Sequence, residues 1–518
     1  MSMRNGASTI LAYDVIVVGG GNAALVSALS AHSAGARVAI FEAAPEPENG
    51  GNSRYSSGIF RIPHGGLYEV QMLLSQDALV DLSYCRMAPY PADRYKADIE
   101  RTSSGHCDAA QVSVVLKHAF ETVRWMKDEL GVSWQLPLGR LFDREKVIAM
   151  EGVVDLPPWD TVMAVGEGTG LMECLWNAVK QRPDIAVFHE SPVSGLITDR
   201  DTIFGATVRR RHSTLRVYGE VILACGRFEA STRLRRQFLG EGWDLVALRG
   251  SRFNTGTMLE AAVSAGAGTI GNFGGCHATL QDLHAPKVLN PSEADEMSRY
   301  SFPYSVMVNA KGRRFLDEGE NVFSLTYAKA AAAIVKQPHA MAFQVFDQQT
   351  LHLVEPRYAT AKPVQADTLE ELAGRLGIDE KAFAATIKRY NKACPKDAAQ
   401  RFLAFACDGV STGRTLDIPK SNWALPIEKP PFVAYGVTCG ITLTYGGLKV
   451  DDGARVLNNE GLVMPGLYAV GDIAGGFFAF NYLGGWGLTK GAVFGRLAGK
   501  SAADRAIFHR AGEEEDWC

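Results

Sequence analysis

The chain has few of the features that mark membrane, disulfide-rich or iron–sulfur proteins. None of its nine cysteines belongs to a C-x-x-C pair, and an odd number scattered over 518 residues predicts reduced thiols and no metal or cluster site. No apolar run is long enough to cross a membrane, because three consecutive glycines interrupt the stretch 13–26. The first residues contain no apolar core followed by a cleavage site of small residues, so we expect a cytoplasmic protein.

An excess of charge of one sign is also missing. Fifty-three Lys and Arg residues nearly balance 57 Asp and Glu residues, which gives a formal net charge of -4. This balance gives no electrostatic reason to expect nucleic acid or an anionic membrane as a partner. With 47% hydrophobic and 21% charged residues, the composition is that of a globular protein, and no internal repeat is present.

The N-terminal segment has the pattern of a dinucleotide-binding βαβ unit. Residues 13–18 (YDVIVV) predict a buried strand, 22–34 a helix and 36–42 (ARVAIFE) a second strand. Between the first two lies GGGNAA, which fits G-x-G-x-x-G/A and places free N–H groups where a pyrophosphate binds. An acid at the end of the second strand is placed to bind ribose hydroxyls. The residues expected to contact the cofactor here are Gly19, Gly21, Asn22, Ala23, Ala24 and Glu42.

Two further segments favour FAD over NAD. The loop 50–58 (GGNSRYSSG) supplies small polar residues that can wrap a pyrophosphate and a ribitol chain. Near the C-terminus, a strand ends in PGLYAVGD, and GGWGLT then opens a helix whose N–H groups can stabilise charge at the flavin N1–O2 edge. We therefore expect FAD to contact Gly51, Asn52, Ser53, Ser57, Gly58, Val193, Asp472, Gly487 and Leu488.

The remaining pattern predicts an α/β fold with an insertion. Helices are predicted over 109–130 and 168–180, and strands over 186–189, 192–199, 203–210 and 217–225, which form a β-meander that returns to a parallel sheet. Polar loops, helices at 369–376 and 380–392 and a proline-rich joint then predict an inserted α+β cap. We assign 1–275 and 436–518 to a Rossmann-type FAD-binding domain and 276–435 to the capping domain, which holds the substrate.

These motifs resemble the fumarate reductase/succinate dehydrogenase flavoprotein superfamily. The resemblance rests on GGGNAA (19–24), GGNS (50–53), LYAVGD (467–472) and the closing helix GAVFGRLAG (491–499), and it covers essentially the whole chain. Three stretches, GRRFLDE (312–318), TLTYGGLKV (442–450) and NYLGGWGLTKGA (481–492), are most similar to the FAD-dependent tricarballylate dehydrogenase branch.

The resemblance implies that flavin and substrate meet beneath the cap and exchange a hydride at an activated carbon–carbon bond. In relatives with covalent flavin, a histidine in the loop after the second strand forms the bond. The corresponding residues 52–55 (NSRY) contain none, so non-covalent FAD is expected.

The catalytic positions depart from those of fumarate reductases. Tyr327 stands where the resemblance places a proton-donating arginine, and Tyr482 stands where it places an arginine that binds a carboxylate. Tyrosines at both positions are similar to the arrangement in 3-ketosteroid dehydrogenases. We expect Tyr327 to act as base, with Lys329 or the pair Arg313–Arg314 favouring its phenolate. Tyr482 and the backbone at 485–487 are expected to stabilise an enolate, and His277 matches a histidine that binds substrate carboxylate. Further candidate carboxylate ligands are Arg61, Arg140 and Lys490.

Three functions fit this pattern. The first is dehydrogenation of a small polycarboxylic acid such as tricarballylate, with the electrons passing to a separate carrier protein or quinone-linked partner. The second is α,β-desaturation of a cyclic or steroid ketone, and the reverse chemistry, reduction of an activated double bond, remains open. The third is a flavin-containing electron-transfer or binding module. Cationic side chains beneath the cap would favour the first, and an apolar pocket with paired tyrosine hydroxyls the second.

Overall fold

The structure is a computed structural model that describes residues 10–79, 82, 85–138, 154–210, 213–291, 293, 296–404 and 406–515. The described strands, in chain order, are β1 Ile10–Val18, β2 Val38–Phe41, β3 Ile59–Phe60, β4 Cys85–Met87, β5 Trp134–Gln135, β6 Val154–Leu156, β7 Val162–Ala164, β8 Ala186–Phe188, β9 Val193–Asp199, β10 Thr202–Arg209, β11 Thr214–Leu223, β12 Ala247–Leu248, β13 Thr269–Ile270, β14 Cys276–Asp282, β15 Val306–Asn309, β16 Met341–Phe346, β17 Val364–Ala366, β18 Phe432–Thr444, β19 Gly447–Leu448, β20 Arg455–Leu457 and β21 Val463–Ala469. The described helices are α1 Asn22–Ser33, α2 Leu67–Gln71, α3 Ala92–Thr102, α4 Ala109–Leu130, α5 Glu167–Lys180, α6 Thr232–Leu239, α7 Thr257–Ser264, α8 Tyr327–Val335, α9 Leu369–Leu376, α10 Glu380–Ala393, α11 Ala398–Arg401 and α12 Trp486–Glu515.

The first sheet carries the predicted dinucleotide unit. Its strand order is β20-β21-β11-β1-β2-β8, and the pairs β21/β11, β11/β1, β1/β2 and β2/β8 are parallel. Strands β9 and β10 extend from β11 as an antiparallel meander. The parallel strands β1, β2, β11 and β21 all end at the same edge, which is where open α/β sheets bind ligands. The predicted α/β class and the βαβ unit are confirmed. The meander is confirmed for β9, β10 and β11, but the segment 186–189, predicted to belong to it, forms β8 and pairs in parallel with β2.

The last helix joins the first one along a stripe of small residues. A Cβ atom added at Gly495 of α12 would lie 2.8 Å from the carbonyl oxygen of Ala23, and one at Gly499 would collide with the carbonyl of Ser27. Ser30 donates to the carbonyl of Arg496 at 2.7 Å. Because these helices approach so closely, the C-terminal segment is fixed against the N-terminal unit.

A second sheet has six strands. Strand β18 is its centre and pairs with β12, β14, β16 and β17, while β15 pairs with β16. Helices α9 and α10 pack on this sheet around a separate hydrophobic cluster that includes Leu372, Phe383, Ile387 and Tyr390. The sheet takes strands from both sides of residues 275 and 435, and the domain boundaries drawn there stay predictions.

None of the described helices combines the length with the hydrophobicity that a bilayer-crossing helix needs.

Candidate active site

One large cavity opens at the carboxyl edge of the first sheet and reaches the second sheet. Its volume is about 430 Å³. This volume lies within the range of roughly 300–1,000 Å³ that is typical of ligand pockets. Thirteen of the fifteen predicted cofactor residues line it: Gly19, Gly21, Asn22, Ala23, Glu42, Gly51, Asn52, Ser53, Ser57, Val193, Asp472, Gly487 and Leu488.

The remaining two predicted cofactor residues have other surroundings. Ala24 is fully buried within α1, one residue beyond the part of the helix that faces the cavity. Gly58 has a φ of +66°, and a Cβ atom there would lie 2.7 Å from the backbone of Glu167. Gly58 therefore serves the close packing of the loop 50–58 against α5, and neither residue lines the cavity.

The turn between β1 and α1 packs closely against the segment after β11 and borders the cavity. Gly19 has a φ of +117°, and a Cβ atom there would lie 2.5 Å from the carbonyl oxygen of Ala224. The N–H of Asn22, the first residue of α1, donates to the Ser53 hydroxyl at 3.1 Å. The helix N-terminus and the loop 50–58 therefore meet at a place suited to a phosphate group.

The acid at the end of β2 is deeply buried. Glu42 accepts a hydrogen bond from the Ala44 N–H at 2.7 Å, which fixes one carboxylate oxygen. Burial raises the pKa of Glu42 to about 7. A carboxyl group in this state offers both a donor and an acceptor to a ribose hydroxyl near neutral pH.

The amide of Asn52 anchors the loop from within. Its nitrogen donates to Glu229 at 2.7 Å and to the Thr442 carbonyl at 2.8 Å, and its oxygen accepts the Ser251 N–H at 2.9 Å. These bonds tie the loop 50–58 to β18 and to the segment after β12. Although Asn52 borders the cavity, its side-chain hydrogen bonds are made to the protein.

The C-terminal segment reaches the same cavity. The Asn22 side chain donates to the Leu488 carbonyl at 3.0 Å, across 466 residues of sequence. Gly471, with a φ of +66°, lies against Ala23, and Asp472 follows it at the cavity wall. The structure thus brings the two ends of the chain together, as the sequence predicts for a single FAD site.

Buried polar atoms in the cavity wall fit an FAD ligand. Arg227 is fully buried and donates to the Ala474 carbonyl at 2.7 Å, but its Nε and Nη1 have no partner within the described part of the chain. The Oδ1 atom of Asn22 is likewise unpaired among the described residues. Since buried polar groups normally hydrogen-bond, these atoms suit the phosphate, ribitol and ring atoms of FAD. Sequence reasoning missed Arg227, whose only signal is its place shortly after the end of β11.

The three predicted catalytic residues meet at the end of this cavity that the second sheet borders. The Tyr327 hydroxyl lies 2.6 Å from Nε2 of His277, and the two rings are nearly perpendicular. Tyr482 packs against the His277 ring with centroids 4.1 Å apart, and its hydroxyl accepts the Gly487 N–H at 3.0 Å. Tyr300 packs against Tyr327 at a centroid distance of 5.0 Å. The cluster connects β14, α8 and the start of α12.

Burial controls the protonation of this cluster. It lowers the pKa of His277 well below its usual value, with the charge of Arg249 as a second cause. It raises the pKa of Tyr327 well above its usual value and also raises that of Tyr482. All three side chains are therefore neutral in the resting protein.

The buried cations that line the cavity are not the ones predicted. Arg249, directly after β12, and Arg357, in a short 3-10 helix Pro356–Thr360, are 4% and 7% exposed and border the cavity. Arg357 pairs with Glu355 at 3.1 Å and lies over the Tyr300 ring. Single arginines outside any motif give no sequence signal, so reasoning from sequence missed both.

The basic residues predicted to bind carboxylates lie elsewhere. Arg61 is fully buried behind the cavity and donates to the Gly484 carbonyl at 2.7 Å. Lys490 donates to the Ala474 carbonyl at 3.2 Å and lies 4.4 Å from the centre of the Phe477 ring. Neither side chain lines the cavity, and Arg140 lies outside the described residues.

The predicted cationic neighbours of Tyr327 are likewise engaged elsewhere. Lys329 is exposed and pairs with Glu320 at 2.7 Å, and Arg314 pairs with Glu318. Arg313 is exposed. The expectation that these residues favour a Tyr327 phenolate is wrong, because Arg249 is the cation whose charge acts on Tyr327.

Known proteins are similar to this chain over most of its length. Residues 14–488 match the family described as FAD binding domain. The chain is 27% identical over 497 residues to a protein named fumarate reductase (cytochrome) from Shewanella frigidimarina. The matched region covers 95% of this chain and 77% of that protein. It is 25% identical over 601 residues to a 3-oxosteroid 1-dehydrogenase from Mycobacterium tuberculosis, covering 96% of this chain and 99% of the relative. In fold, it is similar to the solved 3-ketosteroid delta1-dehydrogenase of Sterolibacterium denitrificans, with a TM-score of 0.70, 19% identity and coverage of 95% and 100% of the two chains.

Proposed function

This chain belongs to the FAD binding domain family, and on that premise we propose that it desaturates a small polycarboxylic acid such as tricarballylate. It is an FAD-dependent oxidoreductase of the kind that acts on CH–CH bonds. The proposal specifies the substrate class and the direction: a proton leaves the carbon next to a carboxyl group, and a hydride leaves the neighbouring carbon. Bound FAD supplies the two-electron oxidant that accepts the hydride.

The observation that carries this proposal is the presence of two buried arginines in the substrate end of the cavity. Arg249 and Arg357 border the same space as Tyr327, His277 and Tyr482. A guanidinium group presents N–H donors in a planar fork that matches a carboxylate, and such charge-assisted bonds are stronger in a desolvated site. Arg357 already pairs with Glu355 at 3.1 Å, so Arg249 is the principal carboxylate anchor, and Arg357 adds a second cation to the cavity wall that favours an acidic substrate.

Beside these arginines, the neutral side chains of Tyr327, His277 and Tyr482 supply the groups that desaturation needs. Tyr327 receives the α-proton through its hydroxyl oxygen. Tyr482 accepts the Gly487 N–H at 3.0 Å, which leaves its own proton to be donated to the carboxyl oxygen that gains charge. Removing one such donor in other enzymes lowers the rate by roughly 10²–10³-fold, so Tyr482 is expected to contribute on that scale.

We also propose that FAD is held without a covalent bond and that the electrons then pass to a separate acceptor. The loop residues 52–55 contain no histidine, the residue that would form the bond. Acid precipitation checks this assignment: the flavin should remain in the supernatant, and a yellow pellet would contradict it.

The eight described cysteines are free, which accords with a cytoplasmic location.

Desaturation of a cyclic ketone is the second candidate. It is favoured by three cavity tyrosines, Tyr300, Tyr327 and Tyr482, beside the apolar side chains of Phe323 and Leu443. One relative is named a 3-oxosteroid 1-dehydrogenase. In this case Tyr482 would donate to the ketone oxygen, and the two arginines would have no anionic partner in the substrate.

Anaerobic flavin reduction separates the two candidates. The FAD-loaded protein is mixed with a panel of di- and tricarboxylic acids and, separately, with cyclic ketones and 3-ketosteroids, and the visible flavin absorption is followed. We expect bleaching by a carboxylic acid and none by the ketones. Bleaching by ketones alone would replace the first proposal with the second.

A further inference from the structure

Resting on the proposed desaturation, we infer that Tyr327 and His277 form a proton relay, in which Tyr327 takes the substrate α-proton while it passes its own hydroxyl proton to Nε2 of His277. This changes the role expected for His277, from binding a substrate carboxylate to taking up a proton. It also assigns a route for the proton that needs no free phenolate.

The contact between Tyr327 and His277 is short, and each residue belongs to a regular element of the fold. Tyr327 is the first residue of α8, and its hydroxyl lies 2.6 Å from Nε2 of His277 on β14. The register between β14 and β18 shifts between His277 and Ala278, an irregularity that re-aims a side chain relative to a regular strand. The rings are perpendicular, with centroids 5.1 Å apart, so the hydroxyl points at the edge of the imidazole.

The relative acidities of the two groups set the direction of this hydrogen bond. A phenol is a much stronger acid than the N–H of a neutral imidazole, and an imidazole nitrogen is a better base than a phenol oxygen. Tyr327 therefore donates and Nε2 accepts, which puts the imidazole proton on Nδ1. That Nδ1 atom is buried and has no hydrogen-bond partner in the described ranges.

Burial makes a standing phenolate costly at this position. The pKa of Tyr327 is raised well above its usual value of about 10, so the fraction of phenolate at neutral pH is very small. The pKa of His277 is lowered well below about 6.5, so its nitrogen is free to accept at neutral pH. Passing the hydroxyl proton to His277 as the α-proton arrives keeps Tyr327 neutral throughout.

The charged groups around the pair link this relay to substrate binding. Arg249 opposes a positive charge on His277. Tyr482 packs on the His277 ring, Tyr300 packs on Tyr327, and Arg357 lies over Tyr300. A substrate carboxylate bound near Arg249 adds negative charge beside the pair, so the imidazolium forms more readily when substrate is present.

The step balances in atoms and electrons. The Cα–H bond breaks and its proton bonds to the Tyr327 oxygen, while the original O–H bond breaks and its proton bonds to Nε2. The electron pair of the Cα–H bond becomes the second bond between Cα and Cβ as the Cβ hydride leaves to the FAD oxidant. His277 ends as an imidazolium and returns its proton to solvent after the product leaves.

The pH dependence of anaerobic flavin reduction separates a relay from a phenolate base. With the relay, the rate constant in the wild-type protein should be flat from about pH 6.5 to about 9, since His277 is neutral throughout. With a phenolate base, the rate constant should rise about tenfold per pH unit over the same range. A tenfold rise per unit in the wild-type protein would overturn the relay.

His277→Gln is the matched variant, because its amide can still hydrogen-bond Tyr327 but cannot take up a proton. We expect a rate about 10²–10⁴-fold lower at pH 7 that rises with pH, since the phenolate route alone remains. The flavin spectrum of the variant reports whether the site is intact. A variant that is as fast and as independent of pH as the wild type would exclude His277 as the acceptor.

A measurement without substrate keeps the relay testable if no compound reduces the flavin. In the FAD-loaded protein with ¹⁵N-labelled histidine, His277→Gln identifies the resonances of His277. The relay predicts an unprotonated Nε2 and a protonated Nδ1 between about pH 6.5 and 9, with the Nε2 resonance shifted by Tyr327→Phe. A proton on Nε2 in this range would refute the relay, whereas a failed substrate panel with these signals present would refute only the proposed substrate.

Discussion

Replacing Arg249 by methionine removes the guanidinium group but keeps a side chain of similar length. Arg249 is 4% exposed, so solvent and salt screen its charge little. A hydrogen bond to a charged group contributes about 1.5–3 kcal/mol, and each 1.4 kcal/mol is a factor of ten. Arg249→Met should therefore weaken carboxylate binding by about 10- to 100-fold.

The assay is the dependence of the anaerobic flavin-reduction rate on acid concentration, which yields the apparent Kd and the limiting rate separately. The matched control is Arg233→Met, which removes an exposed arginine that pairs with Glu260 and lies outside the cavity. Exposed ion pairs contribute about 0–1 kcal/mol, so this control should bind the acid like the wild type. If Arg249→Met retains FAD and binds the acid with the wild-type Kd, Arg249 is not the carboxylate anchor.

Three other substitutions test the site and its support. Tyr327→Phe should leave FAD bound but slow flavin reduction by about 10²–10⁴-fold, and a wild-type rate constant in stopped flow would remove Tyr327 from the chemistry. Because the folded pKa of Glu42 is about 7 and lies above its usual value, the apoprotein should lose stability as pH rises from about 4.5 to about 7. Glu42→Gln should flatten that part of the Tm–pH curve and weaken FAD binding measured by flavin fluorescence; an unchanged slope would contradict the assignment. Gly499→Ala should lower stability by about 1–3 kcal/mol by forcing α12 off α1, whereas Gly195→Ala, where a Cβ meets open space, should not, and equal Tm values for the two variants would refute the packing argument.

The N-terminal unit could be predicted from sequence because its signals are local. A short apolar strand, a glycine turn and a small-residue helix follow one another, and the structure places α1 at Asn22–Ser33 and β2 at Val38–Phe41, close to the predicted limits. The central strand of the second sheet, Phe432–Thr444, was not predicted. It is almost entirely buried and contains two glycines, Gly436 and Gly440, so it lacks the alternation that marks a strand with one exposed face.

The catalytic cluster shows where local reasoning fails. Lys329 is two residues from Tyr327 in sequence, but positions i and i+2 of a helix face different directions, so its ammonium group pairs with Glu320 in solvent. Arg249 is 78 residues from Tyr327 in sequence and reaches the cavity because β12 pairs with β18 in the second sheet. The sequence indicates both His277 and Tyr327 as site residues, but their hydrogen bond depends on how α8 packs on β14.

The most direct test of the proposed desaturation is a single-turnover product analysis. The FAD-loaded protein is mixed anaerobically with tricarballylate, and the loss of visible flavin absorption is compared with the amount of unsaturated acid found by NMR. One molecule of the unsaturated acid for each flavin reduced is the predicted result. Flavin that stays oxidised with this and every other polycarboxylic acid, while a cyclic ketone reduces it, would contradict the account.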